Sequence, residues 1–263
     1  MIFLKQWRRN RVRKRIFPAE WLRIVERNVP YFGRLTEEDR KELLGHVLVF
    51  LAEKHFEGCG GQELTDGIRV TIAAQACVLL LHRETDYFPK VESILVYPHP
   101  YVARRVERDP DGLVHEQAEV REGESWDRGT VVLSWDEVSR DASGLGQGRN
   151  IVLHEFAHQL DQESGKADGA PLLPHRSMYA DWAKVMEREY RKLKRDLKYH
   201  QRTLIDPYGA TDPAEFFAVV TECFFEDPLE MRGRHPELYE QMRLFYRQDP
   251  ATLAERRVQP EPG

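Results

Sequence analysis

Two histidines four residues apart, with a glutamate beside the first, stand in the stretch "NIVLHEFAHQLD", residues 150–161. On an α-helix, residues i and i+4 share a face, so His154 and His158 can present imidazole nitrogens to one cation. Glu155 lies about 100° around the helix, where its carboxylate can reach a water molecule bound to that cation. The spacing therefore predicts a zinc site of the hydrolytic kind, with Glu155 as general base.

The same spacing also fits two surface histidines that share a helix face, because an H-E-x-x-H pattern alone is a weak signal. The flanking residues favour the metal interpretation. The apolar residues Phe156, Ala157 and Leu160 can pack behind the histidine face and hold the helix in a core.

A catalytic zinc ion needs a third protein ligand and one open position. The metzincin arrangement is excluded, because it requires glycine at 161 and histidine at 164, where this chain has Asp161 and Ser164. Asp161 follows His158 by three residues. It could be the third ligand, a partner that orients a ligand, or a solvated carboxylate at the helix end.

A later segment, "YGATDPAEFFAVVTECFFE", offers two further carboxylates, Glu215 and Glu222, on one face of a predicted helix. They are separated by about 10 Å along the helix axis, so only one of them can bind the same ion. Asp212 and Pro213 have the residue types of an N-cap and first helical position, which places Glu215 in the first turn. Glu222 could instead orient a ligand or, with equal weight, be a paired carboxylate elsewhere on the helix.

The elements that must position these residues follow from hydrophobic periodicity. Helical patterns occur before and after a central region of short segments rich in β-branched residues, which predicts an α+β fold. The predicted helices cover 19–28, about 36–56, 65–82, 150–161, about 177–199, 213–226 and about 236–247, and the predicted strands are "SILVYP", "YVARRV", "LVHEQAEVR" and "GTVVLSWDEV".

Composition indicates one core-bearing domain. The chain has 263 residues, 41% of them hydrophobic, and no apolar run long enough to predict a membrane span. The start lacks a secretory signal pattern and the three cysteines are widely spaced, so we expect a cytoplasmic protein without disulfides. We expect a single domain over 18–250, flanked by a basic tail (1–17) and a C-terminal tail (251–263).

The basic tail contains seven lysines and arginines between residues 5 and 15 and no acidic residue. The remainder of the chain then carries −12, which is the overall −5 less these seven positive charges. Such a segment could contact phospholipid or nucleic acid, but a solvated terminus is the favoured interpretation. The negative overall charge predicts no direct binding to nucleic acid.

Four stretches together resemble the Mlc titration factor A family of bacterial zinc-dependent peptidases, which in turn resembles the catalytic domain of anthrax lethal factor. The stretches are "ELTDGIRVTIAAQACVLLL", "GTVVLSWDEV", "NIVLHEFAHQLD" and "DPYGATDPAEFFAVVTECFFE". The resemblance implies a zincin-like fold with one Zn²⁺ per chain. It also implies that His154, His158 and Glu215 bind the metal, that Glu155 is the base, and that Tyr208 lies beside the reacting carbonyl.

The resemblance further implies a peptide or protein substrate and, from the family name, association with a sugar-responsive transcriptional repressor. Two other functions remain open from the residues: a regulatory protein that sequesters its partner, and a domain whose metal is structural. Three ligands with an open position favour catalysis over the structural metal. Residues 130–135 could form an edge strand that pairs with an extended substrate, or an internal strand.

Overall fold

A computed structural model describes residues 2–108, 114–121, 123–126, 129–144 and 148–258 of the chain. Most of these residues are helical. The α-helices are α1 (Ile2–Arg13), α2 (Ala19–Asn28), α3 (Glu37–Glu53), α4 (Asp66–Val78), α5 (Trp135–Ala142), α6 (Ile151–Gln162), α7 (Tyr179–Lys198), α8 (Pro213–Glu226), α9 (Pro228–Arg234), α10 (Pro236–Tyr246) and α11 (Pro250–Val258), and 3₁₀ helices cover Pro30–Arg34, Arg176–Met178 and Pro207–Ala210.

The strands form one small sheet and a separate hairpin. They are β1 (His55–Gly58), β2 (Ser93–Tyr97), β3 (Tyr101–Arg108), β4 (Val114–Arg121), β5 (Gly123–Trp126) and β6 (Thr130–Ser134). The sheet has the order β1-β2-β6-β5, with β1, β2 and β6 parallel and β5 antiparallel to β6, while β3 and β4 pair with each other. Helices with a small sheet agree with the predicted α+β class.

Threonine side chains cap the first turns of two helices that frame the core. The Thr36 hydroxyl accepts a hydrogen bond from the Asp39 amide at the start of α3, and the Thr65 hydroxyl accepts one from Ile68 at the start of α4. Such caps are worth about 1 kcal/mol each. Helix α4 is buried on nearly every side, as its uniform hydrophobicity predicts.

Helix α6 is the buried element on which the predicted site depends. Its Phe156 side chain is fully buried, with its ring centroid 5.6 Å from that of Phe50 and 4.7 Å from that of Phe88. Truncating a phenylalanine in such a place to alanine typically costs about 3–5 kcal/mol. The apolar side of α6 therefore fixes the position of its histidine side.

Part of the predicted strand "GTVVLSWDEV" is helical: β6 ends at Ser134 and α5 begins at Trp135. The Ser134 hydroxyl accepts from the amide of Glu137, which is the S-x-x-E pattern of a helix start. Strand β6 pairs with β2 on one side and β5 on the other, so the edge-strand interpretation of residues 130–135 is wrong. The predicted helix over 36–56 is also too long, because His55 begins β1.

The basic segment near the N-terminus is not a solvated tail. Residues Ile2–Arg13 form helix α1, and Arg9 is only 3% exposed. Its guanidinium donates to both carboxylate oxygens of Glu53 (2.9 and 2.7 Å) and to Asp86 (2.5 Å). These ion pairs hold the segment against the protein. The sequence did not indicate them, because the acidic partners of Arg9 lie far away along the chain.

The C-terminal tail is likewise shorter than expected, because α11 covers Pro250–Val258. Ala251 is fully buried and its amide donates to the Tyr239 hydroxyl (2.9 Å), which ties α11 to α10. Residues 259–263 of the expected tail lie outside the described residues.

Candidate metal centre

The candidate site lies where α6 faces α8, and a side-chain cap starts each helix. The Asn150 side chain accepts from the Leu153 amide (3.1 Å) at the start of α6. Asp212 Oδ1 accepts from the amides of Ala214 (2.9 Å) and Glu215 (3.0 Å), which confirms that Glu215 occupies the first turn of α8. Both caps hold a metal-capable side chain close to a fixed helix end.

The structure brings His154, His158 and Glu215 together. His154 Nε2 lies 3.2 Å from His158 Nε2 and 3.1 Å from Glu215 Oε2, and His158 Nε2 lies 3.4 Å from the same oxygen. Two ligand atoms bound to one tetrahedral zinc ion at about 2.0–2.1 Å are about 3.3 Å apart. The observed triangle therefore has the size that one such cation requires.

The donor types also fit a cation. Two imidazole nitrogens that face each other across 3.2 Å repel unless a proton or a metal ion lies between their lone pairs. All three residues are largely buried, with the exposed fraction of the His154 side chain at 9%, of His158 at 11% and of Glu215 at 18%. Imidazole and carboxylate ligands suit zinc, and three of them leave one position open.

Glu222 orients the first histidine. Its Oε1 lies 2.7 Å from His154 Nδ1, while its Oε2 accepts from the backbone amide of Asn150 (2.6 Å). A carboxylate on Nδ1 fixes the proton there and directs the Nε2 lone pair toward His158 and Glu215. Of the two roles that the sequence leaves open for Glu222, the structure shows the orienting contact.

Carboxylates dominate the electrostatics of the cluster. Burial alone would lower the pKa of His154, but Glu222 and Glu215 outweigh burial and hold that pKa well above its usual value. Burial alone would raise the pKa of Glu215, but the hydrogen bonds from His154 and His158 lower it to about 2. The site is thus an anionic environment that favours a positive charge at the three ligand atoms.

Glu155 lies next to His154 on α6 and is 3% exposed. Its negative charge contributes to the raised pKa of His154. It is not one of the three residues whose ligand atoms converge. That position agrees with a carboxylate that acts beside the metal ligands rather than as one of them.

Tyr208 lies beside the centre and is partly exposed to solvent. It belongs to the 3₁₀ helix Pro207–Ala210, which Asp206 caps by accepting from the Tyr208 amide (2.8 Å). The Tyr208 ring centroid is 6.1 Å from that of His154, and its side chain is 53% exposed. A phenol in this position is close to the ligands and still accessible to a molecule that arrives from solvent.

Asp161 is fully buried and holds a loop. Its Oδ2 accepts from the Gly169 amide (2.8 Å), and Gly169 has a φ of +76° that favours glycine. Burial raises the pKa of Asp161 to about 6 despite this hydrogen bond. It does not join the three converging ligand residues. The geometry therefore favours Glu215 over Asp161 as the third ligand.

Sequence reasoning missed a second histidine–carboxylate cluster, formed by Asp39, Glu42 and His82. His82 Nε2 lies 2.6 Å from Asp39 Oδ1, and His82 Nδ1 lies 2.9 Å from the backbone carbonyl of Arg247. The only sequence signal was the i, i+3 spacing of the two acidic residues on α3, because the histidine comes from a distant loop with a φ of +61°.

The chain matches a known family of metallo-peptidases. The model of the glucose-regulated metallo-peptidase family M90 matches residues 4–247, a span that contains all three converging residues and most of α1. The chain belongs to this family. Membership establishes a metallo-peptidase relationship and implies a metal ion, for which the cluster on α6 and α8 supplies fitting donors.

Among similar proteins, the chain is 41% identical over 246 residues to the uncharacterized protein slr2042 of Synechocystis, covering 93% of this chain and 89% of that protein. It is 37% identical over 234 residues to Mlc titration factor A of Klebsiella pneumoniae, covering 87% and 86%. It is also 34% identical over 238 residues to Mlc titration factor A of Salmonella arizonae, covering 89% and 93%. No helix in the described ranges is long and apolar enough to cross a membrane.

Proposed function

We propose that the chain is a zinc-dependent peptidase with a zincin-like fold and a gluzincin ligand set. His154, His158 and Glu215 would hold one zinc ion, which would supply a Lewis acid that lowers the pKa of a bound water molecule and polarises the substrate carbonyl. The observation that carries the proposal is the convergence of the three ligand atoms within 3.1–3.4 Å on capped, buried helices.

The chain's own residues carry out the proton transfers. Glu155 takes a proton from the water molecule as its oxygen attacks the peptide carbonyl carbon, and it then gives that proton to the leaving amine nitrogen as the C–N bond breaks. Tyr208 donates its hydroxyl hydrogen to the carbonyl oxygen, where negative charge develops. Glu222 keeps the proton on His154 Nδ1 throughout, so that Nε2 remains a ligand.

The decisive test separates hydrolysis from metal binding. Glu155→Gln should retain one zinc ion per chain and lose cleavage by about 10²–10⁴-fold, the usual contribution of a general base. Glu163→Gln is the matched control, because Glu163 caps the other end of α6 outside the ligand cluster and should keep full activity. Peptides with free and with blocked N-termini serve as substrates, and equal activity of Glu155→Gln and wild type would refute the mechanism.

A second candidate function rests on the relatives named Mlc titration factor A. We propose that the chain also binds a sugar-responsive repressor of the Mlc kind, which places it in the cytoplasm with that partner. Co-purification with such a repressor tests the proposal. Binding that persists in Glu155→Gln shows that sequestration is independent of hydrolysis, whereas absence of binding in wild type removes this function and leaves the peptidase assignment intact.

A further inference from the structure

Helix α1 is held to the body of the protein by its inner face. Arg9 forms the buried ion pairs with Glu53 and Asp86, and Val12 is 8% exposed. One turn further, Arg13 donates to the Tyr87 hydroxyl (2.5 and 2.8 Å). These contacts hold α1 against the protein as a folded helix. A partner that binds its outer face therefore loses no free energy in ordering it.

The outer face of α1 exposes large apolar side chains to solvent. Leu4 is 73% exposed, Trp7 is 63% exposed, and Ile16, just beyond the helix, is 95% exposed. Three of the four most exposed large hydrophobic side chains in the described ranges thus lie in this one segment. Leu4 and Trp7 are one turn apart and share a helix face, so they form a patch rather than scattered contacts.

Positive charge surrounds the apolar patch. Arg11 is exposed one turn beyond Trp7 on α1, and Lys14 and Arg15 are exposed directly after the helix ends at Arg13; the Arg11 guanidinium lies 5.8 Å from the centroid of the Trp7 ring. In contrast to Arg9, these three side chains are not used to fix the helix. We call these six exposed residues the outer patch: Leu4, Trp7, Arg11, Lys14, Arg15 and Ile16.

The charge distribution selects an anionic partner. Residues 5–15 carry seven positive charges, of which those of Lys5, Arg8 and Arg9 pair with Glu53 and Asp86, while the remainder of the chain carries −12. An extended anionic surface would attract α1 and repel the rest of the protein, which orients the molecule with α1 toward that surface. Tryptophan and leucine on a basic helix are typical of helices that lie in a membrane interface.

We propose that the outer patch of α1 is a peripheral attachment site for an anionic phospholipid bilayer. Trp7 and Leu4 enter the boundary between headgroups and acyl chains, and Arg11, Lys14 and Arg15 bind lipid phosphates. A nucleic acid fits the patch less well, because Leu4 and Ile16 have no apolar counterpart on a polyphosphate and one tryptophan does not make a stacking platform. The proposal is independent of the metal centre.

Each outward basic side chain is expected to raise partitioning onto an anionic bilayer about five-fold. Removing all three should therefore weaken binding by about a hundred-fold. The attachment is reversible and weakens as salt rises, because exposed charges are screened over about 10 Å at 0.1 M salt.

The test is co-sedimentation of the full-length protein with phosphatidylcholine vesicles that contain or lack phosphatidylglycerol. The patch variant carries Arg11→Gln, Lys14→Gln and Arg15→Gln. The matched control carries Lys184→Gln, Lys198→Gln and Arg202→Gln, three exposed basic residues elsewhere with the same change in net charge. We expect wild type and control to bind only the anionic vesicles, in a salt-dependent manner, and the patch variant to lose about a hundred-fold.

Insertion of the apolar residues is tested separately. Lipids with brominated acyl chains should quench tryptophan fluorescence in wild type but not in Trp7→Phe, which leaves the other tryptophans in place. Absence of binding to anionic vesicles, or equal binding by the patch and control variants, overturns the proposal. Tighter binding to DNA than to vesicles, lost in the same patch variant, also overturns it and assigns the patch to nucleic acid. Zinc content and peptide cleavage should be unchanged in all of these variants, so failure here leaves the proposed function untouched.

Discussion

Two clusters in the molecule combine histidine with carboxylates, and their contacts give them different chemistry. In the first, His154, His158 and Glu215 point their ligand atoms at one another across α6 and α8. In the second, Asp39 and Glu42 on α3 approach His82. Both groups have three metal-capable atoms within 4.8 Å, so residue type and proximity do not separate them.

The number of imidazoles separates them. His82 has an oxygen acceptor at each ring nitrogen, Asp39 Oδ1 at 2.6 Å and the Arg247 carbonyl at 2.9 Å. His82 is the single imidazole of its cluster. His154 also has a carboxylate oxygen at each ring nitrogen, Glu222 Oε1 at Nδ1 (2.7 Å) and Glu215 Oε2 at Nε2 (3.1 Å), but its Nε2 faces a second imidazole as well, His158 Nε2 at 3.2 Å. Two imidazole nitrogens and one carboxylate oxygen converge in the α6–α8 cluster, a donor set that suits a catalytic zinc ion, whereas the second cluster offers one imidazole and two carboxylates.

The largest effect that this comparison predicts concerns the third ligand. Glu215→Ala should lower zinc affinity by more than about a hundred-fold, beyond the 10–100-fold range of residues that only orient a ligand. Asp39→Ala is the matched control, because it removes the carboxylate closest to the histidine of the second cluster. Zinc stoichiometry after dialysis against a weak chelator measures both. A full equivalent in Glu215→Ala, or a lost equivalent in Asp39→Ala, would reverse the two assignments.

A smaller effect is expected at the residue that orients His154. Glu222→Ala should keep the metal under saturating zinc but lower its affinity or the activity about 10–100-fold. Glu226 lies one turn further along α8 and accepts from the Asn150 side chain (2.9 Å), so Glu226→Ala perturbs the same interface without touching a ligand. Zinc titration and peptide cleavage should separate the two variants. An equal loss in both would mean that Glu222 acts only through packing.

The smallest effect concerns the second cluster and depends on pH. Burial lowers the pKa of His82, but Asp39 and the Arg247 carbonyl outweigh burial, so the folded-state pKa is raised above 6.5. A raised histidine pKa adds stability that is complete below the unfolded pKa of about 6.5 and disappears as pH rises through the folded value. The side chain is 37% exposed, so we expect at most about 1 kcal/mol.

His82→Asn tests this prediction, because asparagine tolerates the left-handed backbone that His82 adopts at φ +61°. The difference from wild type in the free energy of unfolding by urea should be larger at about pH 6 than at about pH 9. A difference that is constant, or that grows with pH, would show that no imidazolium holds the cluster. Added zinc should leave the difference unchanged.

The contrast between local and distant partners explains what the sequence could predict. The histidine pair, its helix and the Asp212–Pro213 start of α8 are all encoded within a few neighbouring residues, and the structure confirms the helices and the convergence of His154, His158 and Glu215. The S-x-x-E start of α5 was also local, but the preceding valine-rich strand obscured it.

The features that sequence reasoning missed depend on partners far away in the chain. Arg9 is buried because its guanidinium pairs with Glu53 and Asp86. These partners lie 44 and 77 positions away along the chain, so the run of basic residues gave no local reason to predict a packed helix. His82 meets Asp39 across 43 positions for the same reason. The contact of Glu222 with His154 spans 68 positions, which is why the sequence left its role open.

The most direct measurement of the central claim is an anomalous difference map at the zinc absorption edge from crystals of the zinc-loaded protein. The account predicts one strong peak per chain, at about 2.0–2.2 Å from His154 Nε2, His158 Nε2 and Glu215 Oε2, and no peak beside His82. A peak at the Asp39–Glu42–His82 cluster, or zinc-loaded crystals without a peak between α6 and α8, would contradict it.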